Sequence, residues 1–317
     1  MTKIFVQIAS YRDPELKPTI LDCISKAKYP ENLTFGICWQ NGPEEKPLEE
    51  FLNSLPRTRI IDIPFFESKG LCWARSQIQK LWEGEEYTLQ IDSHHRFVQN
   101  WDTEMLKMVE QTGSNKPILT SYAGMYSPQN NQLLNHEPYK MVADKFTESG
   151  TILFRPWHMP NWQDLTKPEP ARFVSGHFFF TLGKHCEEYK YDPNLYFAGD
   201  EISLSIRSYT LGYDLFHPHR LLIWHEYTRE GRTKHWTDFD QKAKEEKKVD
   251  KTWWEMDLES KRRLRHLLKE EDNHIDLGEY GLGNVRSHRD YELYAGIDFK
   301  NRTLDSSTTQ GVPPIIS

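Results

Sequence analysis

Strand and helix signals alternate along the first 120 residues, and this alternation constrains the fold more than any other feature of the chain. Ile4-Phe-Val-Gln-Ile-Ala9 reads as a strand. Asp13-Pro14-Glu15-Leu16 then opens a helix, with Asp at the N-cap and Pro at the first helical position. Further strands are expected at Leu33–Trp39, Arg59–Ile63, Tyr87–Ile91 and Lys116–Ser121, with helices over Trp73–Trp82 and Trp101–Gln111. Right-handed crossovers between such units build a mainly parallel sheet flanked by helices. Sheets of that kind bind ligands at the carboxyl ends of their strands. Two polar clusters fall at such ends, Ser10-Tyr11-Arg12 after the first strand and Asp92-Ser93-His94 after the fourth.

Side chains on a strand alternate faces, so Asp92 and His94 can converge on one ion while Ser93 and His95 face elsewhere. One carboxylate and one imidazole make half of a divalent-metal site. A distant segment, water or a charged ligand such as a diphosphate must supply the rest. The same pattern fits a strand that simply runs into a polar surface loop.

Composition narrows the class. The 317 residues suffice for one large domain, or for a core domain with a smaller lobe. Only 37% of them are hydrophobic, but 13% are aromatic, including 10 Trp, so a sizeable core is still available. A net charge of −7 without a basic domain argues against nucleic acid as a partner, though not against a local phosphate pocket. Cys23, Cys38, Cys72 and Cys186 form no CxxC pair and suit reduced thiols in a cytoplasm. No apolar run approaches the roughly 18 residues needed for a transmembrane segment, and the N-terminus does not read as a signal peptide. A soluble cytoplasmic protein is expected.

Residues 123–172 change character, being rich in Pro, Asn, Tyr and Trp with weak periodicity, and read as an irregular lid or acceptor-binding segment. Its aromatic stretch from Tyr126 to Trp162 is the expected place for an acceptor. Regular structure resumes at Arg172. From about 237 to 274 the chain is strongly charged and reads as a solvated helical appendage. Residues beyond Arg302 read as a frayed tail. The expected division is a catalytic unit over 1–236 and a helical, charged C-terminal appendage over 237–317 that packs on it.

A second informative stretch runs from Asp192 to Asp214. Gly199 breaks the chain and permits close approach of a ligand to the backbone. Asp200 and Glu201 start a helix, where carboxylates could favour the positive end of the helix dipole or accept hydrogen bonds from sugar hydroxyls. The strand Arg220–Tyr227 delivers His225, followed by Arg229 and Arg232. Taken alone, His225 reads as a polar residue at a strand end. The two guanidinium groups suit a diphosphate, being always charged and presenting a planar fork.

Ordered blocks then carry a resemblance. They are Ile8-Ala-Ser-Tyr-Arg-Asp-Pro-Glu15, Gly70-Leu-Cys-Trp-Ala-Arg75, Gln90-Ile-Asp-Ser-His94, Phe197-Ala-Gly-Asp-Glu201, Gly212-Tyr-Asp214 and His225-Glu-Tyr-Thr-Arg229. Together they resemble the GlcNAc-transferase family typified by cytoplasmic hydroxyproline N-acetylglucosaminyltransferases. The order Asp-x-His, acidic pair, distal His is also similar to the catalytic domain of mucin-type polypeptide GalNAc-transferases. The resemblance implies a GT-A glycosyltransferase, α/β and Rossmann-like with a mainly parallel sheet. It implies a UDP-sugar donor, UDP-GlcNAc first, and a protein or glycan acceptor. It also implies a divalent ion, usually Mn²⁺, with Mg²⁺ or Zn²⁺ as alternatives, held by Asp92, His94 and His225. By the same resemblance Arg75 binds the donor, Tyr11, Arg12 and Asp13 lie where uridine docks, and Asp200 and Glu201 are the acidic pair near the transferred sugar. Asp200 stands where the family commonly has Glu. The implied reaction is retaining, metal-dependent sugar transfer. Competing expectations are a metal-dependent nucleotide-sugar hydrolase and a catalytically silent nucleotide- or carbohydrate-binding protein.

Overall fold

The alternating first part folds as its pattern requires in a computed structural model, which describes residues 2–228 and 230–315. Strands β1 (Ile4–Tyr11), β2 (Leu33–Asn41), β3 (Thr58–Pro64) and β4 (Tyr87–Asp92) alternate with helices α1 (Leu16–Lys26), α2 (Glu49–Ser54) and α3 (Leu71–Gln79). A short strand β5 (His95–Phe97), helix α4 (Trp101–Thr112) and strand β6 (Pro117–Thr120) follow. Helix α1 starts later than expected. Asp13 Oδ1 accepts from Glu15 N at 2.9 Å, but its other oxygen is drawn to the Ser93–His94 turn, so the first helical residue is Leu16.

Next come β7 (Gly124–Ser127), β8 (Gln132–Leu133), β9 (Tyr139–Phe146), β10 (Ile152–His158), β11 (Glu169–Pro170) and β12 (Phe178–Leu182). Helices α5 (His185–Glu188) and α6 (Asp200–Thr210) precede β13 (Asp214–His217) and β14 (Ile223–His225). Eight strands form one sheet in the order β11-β13-β6-β12-β4-β1-β2-β3. The β1–β2, β1–β4, β2–β3 and β6–β13 pairs are parallel, while β12 runs antiparallel between β4 and β6. The sheet is therefore mainly parallel, as expected, with an antiparallel strand at its centre.

Cores lie on both faces of this sheet, as two-residue alternation requires. Phe178 and Phe180 join α1 and α4 side chains such as Ile20, Trp101 and Met105 in one core. Phe179 faces the other, with Ile202 and Ile206 of α6.

Two regions differ from their sequence reading. Residues 139–158 are an antiparallel hairpin of β9 on β10, with a bulge between Leu153 and Phe154. The bulge and Pro156 break the alternation that would have marked the strands. The C-terminal part is neither wholly solvated nor frayed. Helices α7 (His235–Asp238), α8 (Gln241–Glu245), α9 (Trp253–Leu267) and α10 (His288–Ala295) lead to α11 (Ser306–Thr309). Leu264, Leu267, Tyr291 and Phe299 join the α6 core, and Thr308 is fully buried. The charge run had masked this stripe, because only one narrow face of α9 is apolar. Among the described residues, no helix is long and apolar enough to cross a membrane.

Candidate active site

Asp92 is the last residue of β4, a strand flanked by β1 and β12, with Ala9 opposite Asp92 across the parallel ladder. The chain then turns sharply into β5. Thr19 of α1 holds that turn, its Oγ1 lying 2.9 Å from Ser93 O, 3.2 Å from His95 O and 2.8 Å from His95 N. Strand β5 pairs antiparallel with β14 in a register that sets His225 opposite His95, and Glu226 N donates to His94 O at 3.2 Å. This pairing brings His225 to His94 across 131 residues of chain, with ring centroids 4.7 Å apart. One donor atom each from Asp92, His94 and His225 then lie within 4.8 Å of one another.

Electrostatics complete the corner. Asp92 Oδ1 accepts from Arg75 Nη2 at 3.0 Å, and its Oδ2 lies 3.4 Å from His225 Nε2 and 3.8 Å from His94 Nε2. Burial opposes ionisation of Asp92, but His225, Arg75 and His94 outweigh it and hold the carboxyl well below the usual carboxylate range. His225 is only 7% exposed, and among the described residues the one carboxylate beside its ring nitrogens is Asp92, 3.4 Å from Nε2. Burial pushes its pKa well down, so the imidazole is neutral. A buried, neutral imidazole beside a carboxylate and a second imidazole fits a divalent cation. One carboxylate, two imidazoles and added phosphate oxygens suit Mn²⁺, and Zn²⁺ would accept them too. Mg²⁺, which favours oxygen, fits less well.

Arg75 lies behind this corner. It is 2% exposed, donates to Gly176 O at 2.6 Å and pairs with both Asp92 and Asp200. Both of its terminal nitrogens are thus engaged by protein groups, while Nε has no hydrogen-bond partner among the described residues.

The acidic pair divides its duties. Gly199, with φ at +89°, lets the chain enter α6, and an added Cβ would strike Leu264 of α9. Asp200 turns inward to Arg75 and Cys72. Glu201 turns the other way, its Oε1 accepting from Gly176 N at 3.1 Å and its Oε2 from Tyr122 OH at 3.2 Å. Burial in this corner pushes the Glu201 carboxyl up to about 7, reinforced by the charge of Asp200. Gly176 has no room for a side chain, since a Cβ would sit 2.7 Å from Asp200 Oδ2.

At the Asp92–His94–His225 corner opens a cleft of about 170 Å³ lined also by Tyr11, Asp13 and Arg232, with Phe197 and Trp236 at its apolar wall. Of the expected uridine-side residues, Tyr11 lines it and bonds Asp238 of α7 at 2.7 Å, with its ring 4.9 Å from His235. Arg12 instead points to Asp238, Glu44 and Glu45. Asp13 turns to His94, at 2.7 Å from Nδ1. Burial works against its ionisation, yet His94, Arg232 and Ser93 hold its carboxyl at about 2. Arg232 contacts Asp13, Glu226 and the His94 ring. Arg229 lies outside the described residues. Of the rings expected to meet an acceptor, Tyr126 is fully buried, Trp157 packs on Gly311, and Trp162 stacks with Arg220.

His177 was missed by sequence reasoning. Its ring lies 4.4 Å from His225, with Nδ1 3.0 Å from Ser175 Oγ and Nε2 accepting from Ala123 N at 3.2 Å. It precedes β12. Because β12 is antiparallel, the start of that strand lies at the ligand end of the sheet, which the apolar run alone does not reveal.

Comparison with known proteins follows this geometry. The family model described as Glycosyltransferase (GlcNAc) matches residues 3–55 and 49–301, most of the chain. No curated protein matches it by sequence. Among solved structures, that of GalNAc-T7 with UDP, GalNAc and Mn²⁺ is similar, with a TM-score of 0.60 at 13% identity. The overlap covers 92% of this chain but only 56% of that one. Residues 1–349 of Staphylococcus aureus TarS overlay with a TM-score of 0.48 at 12% identity, over 71% of this chain and 60% of that chain. The first of these likenesses supports the expected GT-A architecture. With the family match spanning both halves of the site, from β1 through β14 and on to α10, the chain belongs to the GlcNAc glycosyltransferase family.

Proposed function

We propose that this protein is a Mn²⁺-dependent, retaining glycosyltransferase that moves GlcNAc from UDP-GlcNAc to a hydroxyl on a protein or glycan acceptor. The observation that carries the reading is the convergence of Asp92, His94 and His225 at the carboxyl end of β4, beside Asp200 and Glu201. The similar GalNAc-T7 structure holds UDP, GalNAc and Mn²⁺. Four buried cysteines without disulfides fit a reducing compartment, and we place the protein in the cytoplasm.

Asp92, His94 and His225 would hold the ion, which when bound neutralises charge on the diphosphate. Arg232 lines the same cleft and supplies a fixed positive charge toward the donor phosphates. Arg75, itself held by Asp200, helps keep Asp92 ionised and in place. Glu201 orients sugar hydroxyls, aimed by Gly176 N and Tyr122 OH. In a front-face reaction the bond between the anomeric carbon and the phosphate oxygen breaks as the acceptor oxygen attacks from the same side. The acceptor proton passes to the departing diphosphate. Phe197 and Trp236 wall the cleft against water, which would otherwise consume the donor.

The test is UDP release from a panel of UDP-sugars with Mn²⁺, after EDTA treatment and re-addition of metal. UDP-GlcNAc turnover stimulated by an acceptor, with retention of the anomeric configuration by NMR, is expected. Undiminished turnover in EDTA would remove the metal from the mechanism. Turnover indifferent to every acceptor would make the protein a nucleotide-sugar hydrolase.

A further inference from the structure

We propose that Asp13 is a positioning residue for metal capture, fixing the His94 imidazole through Nδ1 so that Nε2 is presented to the ion. The inference rests on the divalent-ion reading of the Asp92–His94–His225 corner. It assigns Asp13 a task apart from uridine contact.

Asp13 is 5% exposed and lies in the turn between β1 and α1. One carboxylate oxygen is 2.7 Å from His94 Nδ1, 2.7 Å from Ser93 Oγ and 3.2 Å from Arg232 Nη1. The other accepts from Glu15 N at 2.9 Å, which locks the carboxylate plane. An ionised carboxylate can only accept, so the Asp13 contact puts the imidazole proton on Nδ1. Arg232 Nη1, which can only donate, lies against Nδ1 and 2.8 Å from Nε2, and must swing aside before the lone pair of Nε2 meets an ion. That Nε2 lies 3.8 Å from Asp92 Oδ2, on the side where His225 also approaches. A carboxylate behind a ligating imidazole fixes its tautomer and orientation and raises its basicity.

The two histidines are held by different means. His225 has no carboxylate behind its ring among the described residues and is packed among the rings of His94, His95, His177 and Tyr227, at 4.3 to 4.8 Å, with Nε2 3.4 Å from Asp92 Oδ2. His94 has a dedicated acceptor supplied from 81 residues upstream. Helix α1 secures the same turn through Thr19, so the carboxylate and the imidazole it faces are anchored to one element. His94 is thus oriented by a carboxylate, and His225 by the packing of rings around it.

The experiment reads the tautomer and the metal separately. Full-length protein labelled with ¹⁵N at histidine, metal-free, is examined by long-range ¹H–¹⁵N NMR, with His94→Gln assigning the signal. Wild type should show His94 protonated at Nδ1. Asp13→Ala should lose that preference and bind Mn²⁺ about 10- to 100-fold more weakly by calorimetry. Asp13→Asn should keep the Nδ1 proton, because the amide oxygen still accepts, with a smaller loss of affinity. Should Asp13→Ala fail to fold, Asp13→Asn decides: loss of the Nδ1 proton there overturns the inference. Wild-type tautomer and wild-type Mn²⁺ affinity in Asp13→Ala would also overturn it. A wild type with the expected tautomer but no Mn²⁺ affinity would refute the ion site itself, a distinguishable failure that removes the metal-capture role as well.

Discussion

Asp92 and Glu201 flank the same buried guanidinium region, yet their environments drive them apart. Asp92 faces Arg75, His94 and His225, and its carboxyl is held well below the usual range despite its burial. Glu201 meets a backbone N–H and a phenol, with no direct cation among the described residues, and its carboxyl rises to about 7. The difference lies in the direct partners: His225 first and then Arg75 and His94 favour the ionised Asp92, whereas Arg75 acts on Glu201 only without contact. Two carboxylates in one site thereby acquire separate tasks, one a permanent anion for a cation and one that titrates near neutrality.

The largest effect should come from removing the permanent anion. Asp92→Ala should lower acceptor-dependent UDP release by about 10³-fold or more, since both ion affinity and charge stabilisation are lost. Circular dichroism should stay at wild type. Retention of more than a tenth of the activity would break the assignment of Asp92 to the ion.

Arg75→Met tests whether one guanidinium sets the contrast. It leaves Asp92 and Asp200 buried without their partner, a change that costs about 3–5 kcal/mol in comparable pairs. Chemical denaturation should show that loss, together with weaker Mn²⁺ binding. Unchanged stability would mean that the ion pairs are not what holds the acidic pair in place.

How much of this contrast was legible beforehand follows from the range of the interactions. Asp92 and His94 could be paired from strand alternation alone, because their shared face is a local property of β4. The strands and helices through residue 121, other than α2 and β5, were legible for the same reason, their ends shifting by only a few residues. His225 and the acidic pair needed the resemblance, since their approach to Asp92 depends on the β5–β14 register and on α6 packing. The Asp13–His94 contact was not legible. It spans 81 residues and competes with the N-cap role that the local sequence suggested. The β9–β10 hairpin was hidden by a bulge and a proline, and is held in part by distant C-terminal residues such as Gly311, whose backbone carbonyl accepts from Lys140.

Glu201→Gln addresses the titrating member. Its folded-state pKa near 7 lies above the ordinary 4.5, so the stabilising contribution of the protonated form is complete below pH 4.5 and is lost as pH rises through 7. Wild type should therefore lose roughly 2 kcal/mol of stability across that window from this group, after allowance for its partial exposure. The Gln variant should lack that slope and melt higher than wild type at pH 8. If the ionised form orients the sugar, wild-type activity rises toward a plateau above pH 7. Glu201→Gln should flatten this limb and lower the plateau about 10-fold. A variant that keeps the limb would move the titration to another group.

The finest adjustment of the contrast is Tyr122→Phe. The phenol donates to Glu201 Oε2 at 3.2 Å, a hydrogen bond that favours the ionised carboxylate. Its removal should carry the activity limb to higher pH by less than about one unit, the size expected for one such bond to a charged group. Activity at pH 8.5 should change only about two- to three-fold, because most of Glu201 is ionised there in either protein. The direction is the discriminating part. A limb moved to lower pH would mean that Tyr122 accepts from a protonated Glu201, reversing the donor and acceptor in that corner. An upward shift that vanishes in Glu201→Gln/Tyr122→Phe would tie the limb to this pair and leave Asp92 outside it.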